Sequence, residues 1–167
     1  MNKTMFDHIN KIDELKKAYR AAAMKAHPDH GGSEEQMKII NAAYESRFEI
    51  LKRKQNAEAA ADVTGKTRPV NEMPEEFRIV IEKLLSIPDI IIELCGNWVW
   101  VSGETKAHKE EIKAAGCFWT KKKGMWYWRC AKDAHHGKSN ASMADIRRKY
   151  GSERIASDGR RADALPA

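Results

Sequence analysis

Two cysteines and two histidines in the last third of the chain are the residues whose types could bind a metal ion. They are Cys117, Cys130, His135 and His136. No Cys-x-x-Cys pair brings two thiolates together, and adjacent histidines rarely bind the same ion. We therefore expect no metal site and no cofactor, and we expect the cysteines to be buried as small apolar side chains.

A second candidate set, His27-Pro28-Asp29, lies in a loop between two predicted helices. The first helix runs from Asn10, a potential N-cap, to Ala26, because Pro28 disfavours helical geometry at the residue before it. The second helix begins after Ser33 and continues to about residue 60, with apolar residues at helical spacing. Two amphipathic helices joined by a short loop are expected to pack antiparallel.

Basic residues of the first helix lie largely off its apolar stripe. They are Lys16, Lys17, Arg20 and Lys25. Because lysine and arginine are rarely buried, we expect these side chains to form a solvated basic face. No nucleophile–base pair, glycine-rich phosphate loop or carboxylate pair stands out in the 167 residues, so we do not expect an enzyme.

Four stretches of this part resemble, in order, the J-domain, the DnaJ-type module that stimulates ATP hydrolysis by DnaK-type chaperones of the heat-shock seventy class. They are Leu15–Arg20, Lys25–Asp29, Gly31–Ser33 and Ile40–Glu45. The resemblance implies that His27, Pro28 and Asp29 meet the chaperone at its interdomain linker. It also implies that the basic face docks on an acidic chaperone surface, through contacts that weaken as salt increases.

The chain departs from the family pattern at several core positions. The usual Tyr-Tyr-x-x-Leu-Gly pattern is reduced to Phe6–Ile9, and Ala26 stands where a large aromatic residue is usual. Ala22 and Ala23 stand where at least one leucine is expected. Each missing methylene removes about 0.8 kcal/mol of burial energy. We therefore expect a truncated J-domain over residues 1–61 whose stability depends on the second module or on a partner.

The composition separates this first module from a second one. Residues 1–62 contain eleven basic and ten acidic residues, whereas residues 89–150 contain twelve and seven. All five tryptophans lie within one 31-residue stretch of the second part. The net charge of +6 permits an anionic partner without identifying one. The apolar runs are too short to span a bilayer and no signal peptide is evident, so we expect a cytoplasmic protein without membrane contact.

The second part is predicted to be a small antiparallel ββαββ module with flanking helices, which makes the fold class α+β. The predicted segments are a linker over 62–73, a helix over 74–87, strands over 90–94 and 98–101, a helix over 105–115, strands over 118–120 and 125–129, and a helix from Ser142 to Gly151. The adaptor module is expected to span 74–151, and residues 152–167 are expected to be disordered.

Tryptophans and lysines are concentrated in the predicted hairpins. If Trp98, Trp100, Trp126 and Trp128 share one exposed sheet face, they form a stacking platform for single-stranded nucleic acid, and if a helix covers them they are core residues. The candidate contacts to nucleic acid or a partner are Lys121, Lys122, Lys123, Trp126, Trp128 and Arg129. The lysines alternatively form a solvated hairpin tip. This part resembles a small module of phage, plasmid and bacterial proteins, which implies architecture rather than activity.

Two functions remain open from the sequence. The first is a co-chaperone whose J-domain recruits and stimulates a DnaK-type chaperone, while the second module selects an unknown client. The second is a nucleic-acid-binding accessory protein of phage or plasmid type, in which the J-like helices are a docking scaffold. The sequence identifies neither the client nor the oligomeric state.

Overall fold

A computed structural model describes residues 5–65, 67, 69–70, 73–130 and 141–156, and the chain divides into two compact units. The first unit is Met1–Arg78 and the second is Ile79–Ala167. The division therefore lies inside the helix predicted from residue 74, rather than in the predicted linker. No helix in the described part of the chain is long and apolar enough to cross a membrane.

Two helices, α1 over Ile12–Ala26 and α2 over Glu34–Ala61, build the first unit around a short 3-10 turn at Pro28–His30. The Tyr19 hydroxyl donates a hydrogen bond to the Asn41 side chain at 2.9 Å. Arg47, further along α2, donates two hydrogen bonds to the carbonyl of Ile9, before the start of α1. Because later residues of α2 meet earlier residues of the first segment, the helices pack antiparallel, as the sequence predicts.

The ends of the helices depend on side chains that bind the backbone. The Ser33 hydroxyl accepts a hydrogen bond from the backbone N–H of Gln36 at 3.2 Å, which confirms the predicted start of α2. The prediction that Asn10 caps α1 was wrong. Lys11 holds the N-cap position without a side-chain hydrogen bond, since its ammonium group has no acceptor atom. The Asn10 amide oxygen accepts a hydrogen bond from Arg47 instead.

The predicted linker carries ordered contacts of its own. Helix α3, Pro74–Leu85, begins at the predicted proline. Before it, Val70 is buried, and both its backbone N–H and its carbonyl bind the Asn56 side chain. Bonds from the Thr64 hydroxyl and from the backbone N–H groups of Thr67 and Thr64 hold the pKa of Asp62 well below its ordinary value.

The second unit consists of a five-stranded antiparallel sheet and its helices. Its elements are β1 Ile90–Cys95, β2 Trp98–Gly103, α4 Lys109–Ala114, β3 Phe118–Thr120, β4 Met125–Trp128, α5 Met143–Tyr150 and β5 Glu153–Ala156. The strand order in the sheet is β3-β4-β2-β1-β5. The predicted ββαββ order is present, although α4 is shorter than predicted. The expected disorder from residue 152 was wrong at its start, because β5 pairs with the outer edge of β1. Residues 157–167 lie outside the described residues.

The strand register places the tryptophans on two sheet faces. Trp100 lies opposite Tyr127, whereas Trp126 lies opposite Val101 and Trp128 opposite Val99. Because neighbouring residues of a strand point to opposite faces, Trp98 and Trp100 lie on one face and the other two indoles on the other. The register between β2 and β4 therefore excludes the alternative in which all four indoles share one sheet face. A shift of one residue would have placed them together.

Candidate functional site

The His27-Pro28-Asp29 loop leaves the end of α1 in a turn held by its own backbone. His27 has an extended backbone (φ −66°, ψ 134°), as expected for the residue before a proline. Its carbonyl accepts hydrogen bonds from the backbone N–H groups of His30 and Gly32, each at 3.0 Å. The turn therefore holds three consecutive residues in one short, internally bonded loop.

The two polar side chains of this loop have different environments. The His27 imidazole is only 11% exposed, and its Nδ1 accepts a hydrogen bond from the backbone N–H of Asp29 at 3.3 Å. The Asp29 carboxylate is 58% exposed, with one oxygen 3.7 Å from that nitrogen. The imidazole thus orders the turn, while the carboxylate faces solvent where a partner can contact it.

Two glycines after the loop are required for different reasons. Gly31 closes the 3-10 turn at φ 85°, a left-handed conformation that side chains disfavour. Gly32 has a different constraint, because a Cβ there would overlap the backbone carbonyl group of Ala26. The Gly-Gly pair of the sequence therefore lets the chain turn back over the end of α1 before α2 begins.

The predicted solvated basic face was wrong for two of its four residues. Lys16 and Arg20 are completely buried, whereas Lys17 is half-buried and Lys25 is exposed. The physical reason lies in the first turns of α3. The Phe77 ring, itself fully buried, packs with its centroid 5.1 Å from the Lys16 ammonium nitrogen. The attraction between a cation and an aromatic ring face offsets part of the hydration free energy that the cation loses on burial.

The rings of this first unit form one aromatic cluster. Tyr19 of α1 and Tyr44 of α2 have centroids 4.4 Å apart. Phe77 lies 6.2 Å from the first ring and 5.9 Å from the second. The alanine-rich core is therefore completed by an aromatic residue that lies outside the predicted module of residues 1–61.

The candidate contacts of the second unit do not share one environment. Trp128 is buried, so its ring offers little face on which a base could stack, whereas Trp126 is half-buried. Lys121 and Lys122 are exposed in the turn between β3 and β4, as expected for a hairpin tip. The remaining two cations lie over rings: Lys123 over Trp100 at 5.7 Å, and Arg129 over Trp98 at 5.6 Å.

Sequence reasoning did not single out two exposed aromatic residues as candidate contacts. Phe118 is 59% exposed and Trp119 is 47% exposed, both on β3 at the edge of the sheet. Trp119 packs edge-on against Trp126 at 5.5 Å, and Phe118 lies 5.9 Å from Tyr127. The short predicted strand could have indicated their exposure. Two adjacent aromatic residues of a strand point to opposite faces, and a strand at the edge of a sheet leaves them partly uncovered.

Helix α5 lies on the sheet face that carries Trp98 and Trp100. Met143 and Ile146 pack against the cluster that contains Trp100. Arg147 donates hydrogen bonds at 2.6 and 2.9 Å to the fully buried Glu93 carboxylate. Burial alone would raise the pKa of Glu93, but the bonds and charge of Arg147 outweigh it, so the pKa is lowered.

The cysteines are free thiols in the interior of the second unit. Cys95, Cys117 and Cys130 are all buried, as predicted, and burial raises the pKa of the Cys117 thiol to about 12. His135 and His136 lie outside the described residues. Within the residues that are described, no group of three histidine, cysteine or acidic side chains could hold a metal ion.

Comparisons with known proteins agree on the first unit. The DnaJ domain family model matches residues 6–59, which include the His27-Pro28-Asp29 loop. Residues 6–59 form a DnaJ domain. Domains of this family partner with DnaK-type chaperones. Phe77 lies beyond the matched DnaJ domain, although its ring completes the aromatic cluster.

The similar proteins are co-chaperones and DnaJ proteins. The chain is 51% identical over 53 residues to the tetratricopeptide repeat and J domain-containing co-chaperone DNJ1 of Cryptococcus neoformans. It is 64% identical over 33 residues to chaperone protein dnaJ A6 of Oryza sativa, and 61% identical over 33 residues to a DnaJ protein homolog of Cucumis sativus. The matches cover 30%, 20% and 20% of this chain.

The matches cover only a small part of each relative. The matches span 10%, 8% and 8% of the lengths of these three relatives, and the matched similarity is confined to those segments. The resemblance of the Trp/Lys-rich part to a phage, plasmid and bacterial module is not supported by these matches. No solved structure gives a significant match to the chain.

Proposed function

We propose that the DnaJ domain docks on a DnaK-type chaperone and stimulates its ATP hydrolysis, while the second unit selects a client or partner. The observation that carries this proposal is the loop of the DnaJ domain, in which a packed His27 orders an exposed Asp29 carboxylate. The loop would favour one chaperone conformation by binding it better than the other. In this proposal the protein performs no catalysis itself and acts in the cytoplasm.

Single-turnover ATP hydrolysis by a DnaK-type chaperone tests the docking proposal. The wild-type chain is expected to accelerate hydrolysis, and His27→Gln is expected to lose most of that acceleration. His30→Gln is the matched control, because His30 lies in the same turn, is exposed and is outside the three-residue motif. Absence of acceleration by the wild-type chain, or equal losses in both variants, would contradict the proposal.

We infer a second candidate function, binding of single-stranded nucleic acid by the edge of the sheet. The observation that favours it is the exposure of Phe118 and Trp119 next to the exposed Lys121 and Lys122. Each base that stacks on such a ring contributes about 1–3 kcal/mol, and each lysine that neutralises a phosphate adds to the salt dependence. The buried Trp128, predicted earlier as a contact, has no place in this site.

Titration of the full chain with single- and double-stranded oligonucleotides across a salt series tests this second candidate. Trp119→Ala is expected to weaken single-strand binding with an unchanged salt slope. Replacing both Lys121 and Lys122 by alanine is expected to reduce the slope by about two. The charge-matched control replaces Lys106 and Lys109, which are exposed elsewhere in the unit. No binding at low salt, or equal effects in the control, would eliminate this function.

A further inference from the structure

Two cations that sequence reasoning assigns to chaperone docking are hidden in the first unit. Lys16 and Arg20 lie one turn apart on the same face of α1, and both are completely buried. Tyr19, next to that face, is also completely buried. Lysine and arginine side chains are rarely buried to this extent. Their burial on one face means that another part of the chain covers this face.

The covering segment consists of residues 69–70 and 73–78, here called the cover. Phe77 is its central contact with α1, since the ring lies over the Lys16 ammonium group at 5.1 Å. The same ring lies 6.2 Å from the Tyr19 ring. The cover therefore lies where a chaperone surface would have to approach the basic face.

The cover is attached to α2 at two points. Asn56 accepts a hydrogen bond from the Val70 backbone N–H at 2.7 Å and donates one to its carbonyl at 3.3 Å. Arg78 forms an ion pair with Glu45 at 3.0 Å, and the Glu45 side chain is 43% exposed. Contacts of these kinds are individually modest, and burial of the Phe77 ring also stabilises the closed cover. The open form is therefore a minor state, and weakening one attachment raises its population.

We propose that the cover is an autoinhibitory contact that hides Lys16 and Arg20 until it opens. This inference rests on the proposed docking of the DnaJ domain on a DnaK-type chaperone. With the cover closed, the loop and the exposed Lys25 remain accessible, but the basic face is incomplete. The apparent affinity for the chaperone is then reduced by the fraction of molecules in which the cover is open.

A charge reversal in the attachment opens the cover without removing the buried ring. Arg78→Glu places like charges at the site of the ion pair, and it is expected to raise chaperone affinity about two- to fivefold. Adding Glu45→Arg restores an ion pair with reversed charges and is expected to return the affinity toward the wild-type value. Asn56→Ala, which removes the other attachment, is expected to act in the same direction as Arg78→Glu.

Reaction of lysine amines with an acylating reagent, followed by mass spectrometry, measures opening of the cover without any chaperone. In the wild-type chain Lys16 is expected to react much more slowly than the half-buried Lys17. Arg78→Glu is expected to raise the Lys16 rate relative to Lys17, and the double variant to lower it again. Equal rates for the two lysines in the wild-type chain would overturn the proposal.

The two measurements together separate failure of the cover from failure of the proposed function. Faster Lys16 labelling with higher chaperone affinity and ATPase stimulation supports the autoinhibitory contact. Faster labelling with unchanged stimulation, while His27→Gln still abolishes it, overturns autoinhibition and leaves chaperone docking standing. Faster labelling with no stimulation by any variant refutes chaperone docking itself, and the autoinhibitory role with it.

Discussion

Replacement of Phe77 by alanine is expected to destabilise the DnaJ domain although Phe77 lies beyond the matched residues 6–59. The ring is fully buried and has Tyr19 and Tyr44 as aromatic neighbours at 6.2 and 5.9 Å. Truncation of a buried phenylalanine costs about 3–5 kcal/mol, because the burial energy is lost and a cavity remains. This loss is a large part of the 5–15 kcal/mol that stabilises a typical domain.

Hydrogen exchange measured on peptides from α1 and α2 gives the free energy of local opening in this region. We expect Phe77→Ala to lower that free energy by about 3 kcal/mol or more. Ile79→Ala is the control in the same helix, because Ile79 is 37% exposed and its loss is expected to cost less than about 1 kcal/mol. A change below about 1 kcal/mol for Phe77→Ala would refute the conclusion that this ring completes the core of the DnaJ domain.

Two further predictions concern the loop and the second unit. Gly32→Ala is expected to cost about 1–3 kcal/mol, because its Cβ would overlap the Ala26 carbonyl group, and to reduce chaperone stimulation; a thermal midpoint equal to that of the wild-type chain would contradict this. The pKa of Glu93 is lower in the folded state than its ordinary value of 4.5, so its ion pair with Arg147 stabilises the second unit above about pH 4.5. This stabilisation is lost as the pH falls through the lowered pKa. Because the Arg147 side chain is one-third exposed, solvent screens part of this contribution. Urea midpoints from tryptophan fluorescence between pH 7 and pH 3 measure this loss of stability. Glu93→Gln is expected to make the midpoint depend less on pH. An equally steep loss in that variant would show that other titratable groups cause the pH dependence.

The helices of the first unit were predictable because their signals are local. Pro28 acts on the residue before it, and the Ser33 hydroxyl binds a backbone N–H within the first turn of α2. Asn10 carried an equally good local signal, yet its side chain binds Arg47 of another helix. A local cap signal therefore fails when a distant donor competes for the same oxygen.

The candidate site was predictable only in part. Spacing places Lys16 and Arg20 on one face of α1, but it does not reveal that Phe77 covers them. Alternation places Trp126 and Trp128 on the same face of their strand, but not whether Trp100 shares that face. Whether the three indoles share a face depends on the register between β2 and β4, and a shift of one residue would move the side chains of one strand to the other face.

The amino-acid sequence by itself determined the helical hairpin, its His27-Pro28-Asp29 loop and the presence of a second, tryptophan-rich module. These features depend on residues that are neighbours in the chain or lie one helical turn apart, so their physical causes can be recognised in the order of the residues. The tertiary structure alone decided which cations and tryptophans are accessible. Accessibility depends on which distant segment packs on each face, as Phe77 does on α1, and no local pattern specifies that partner.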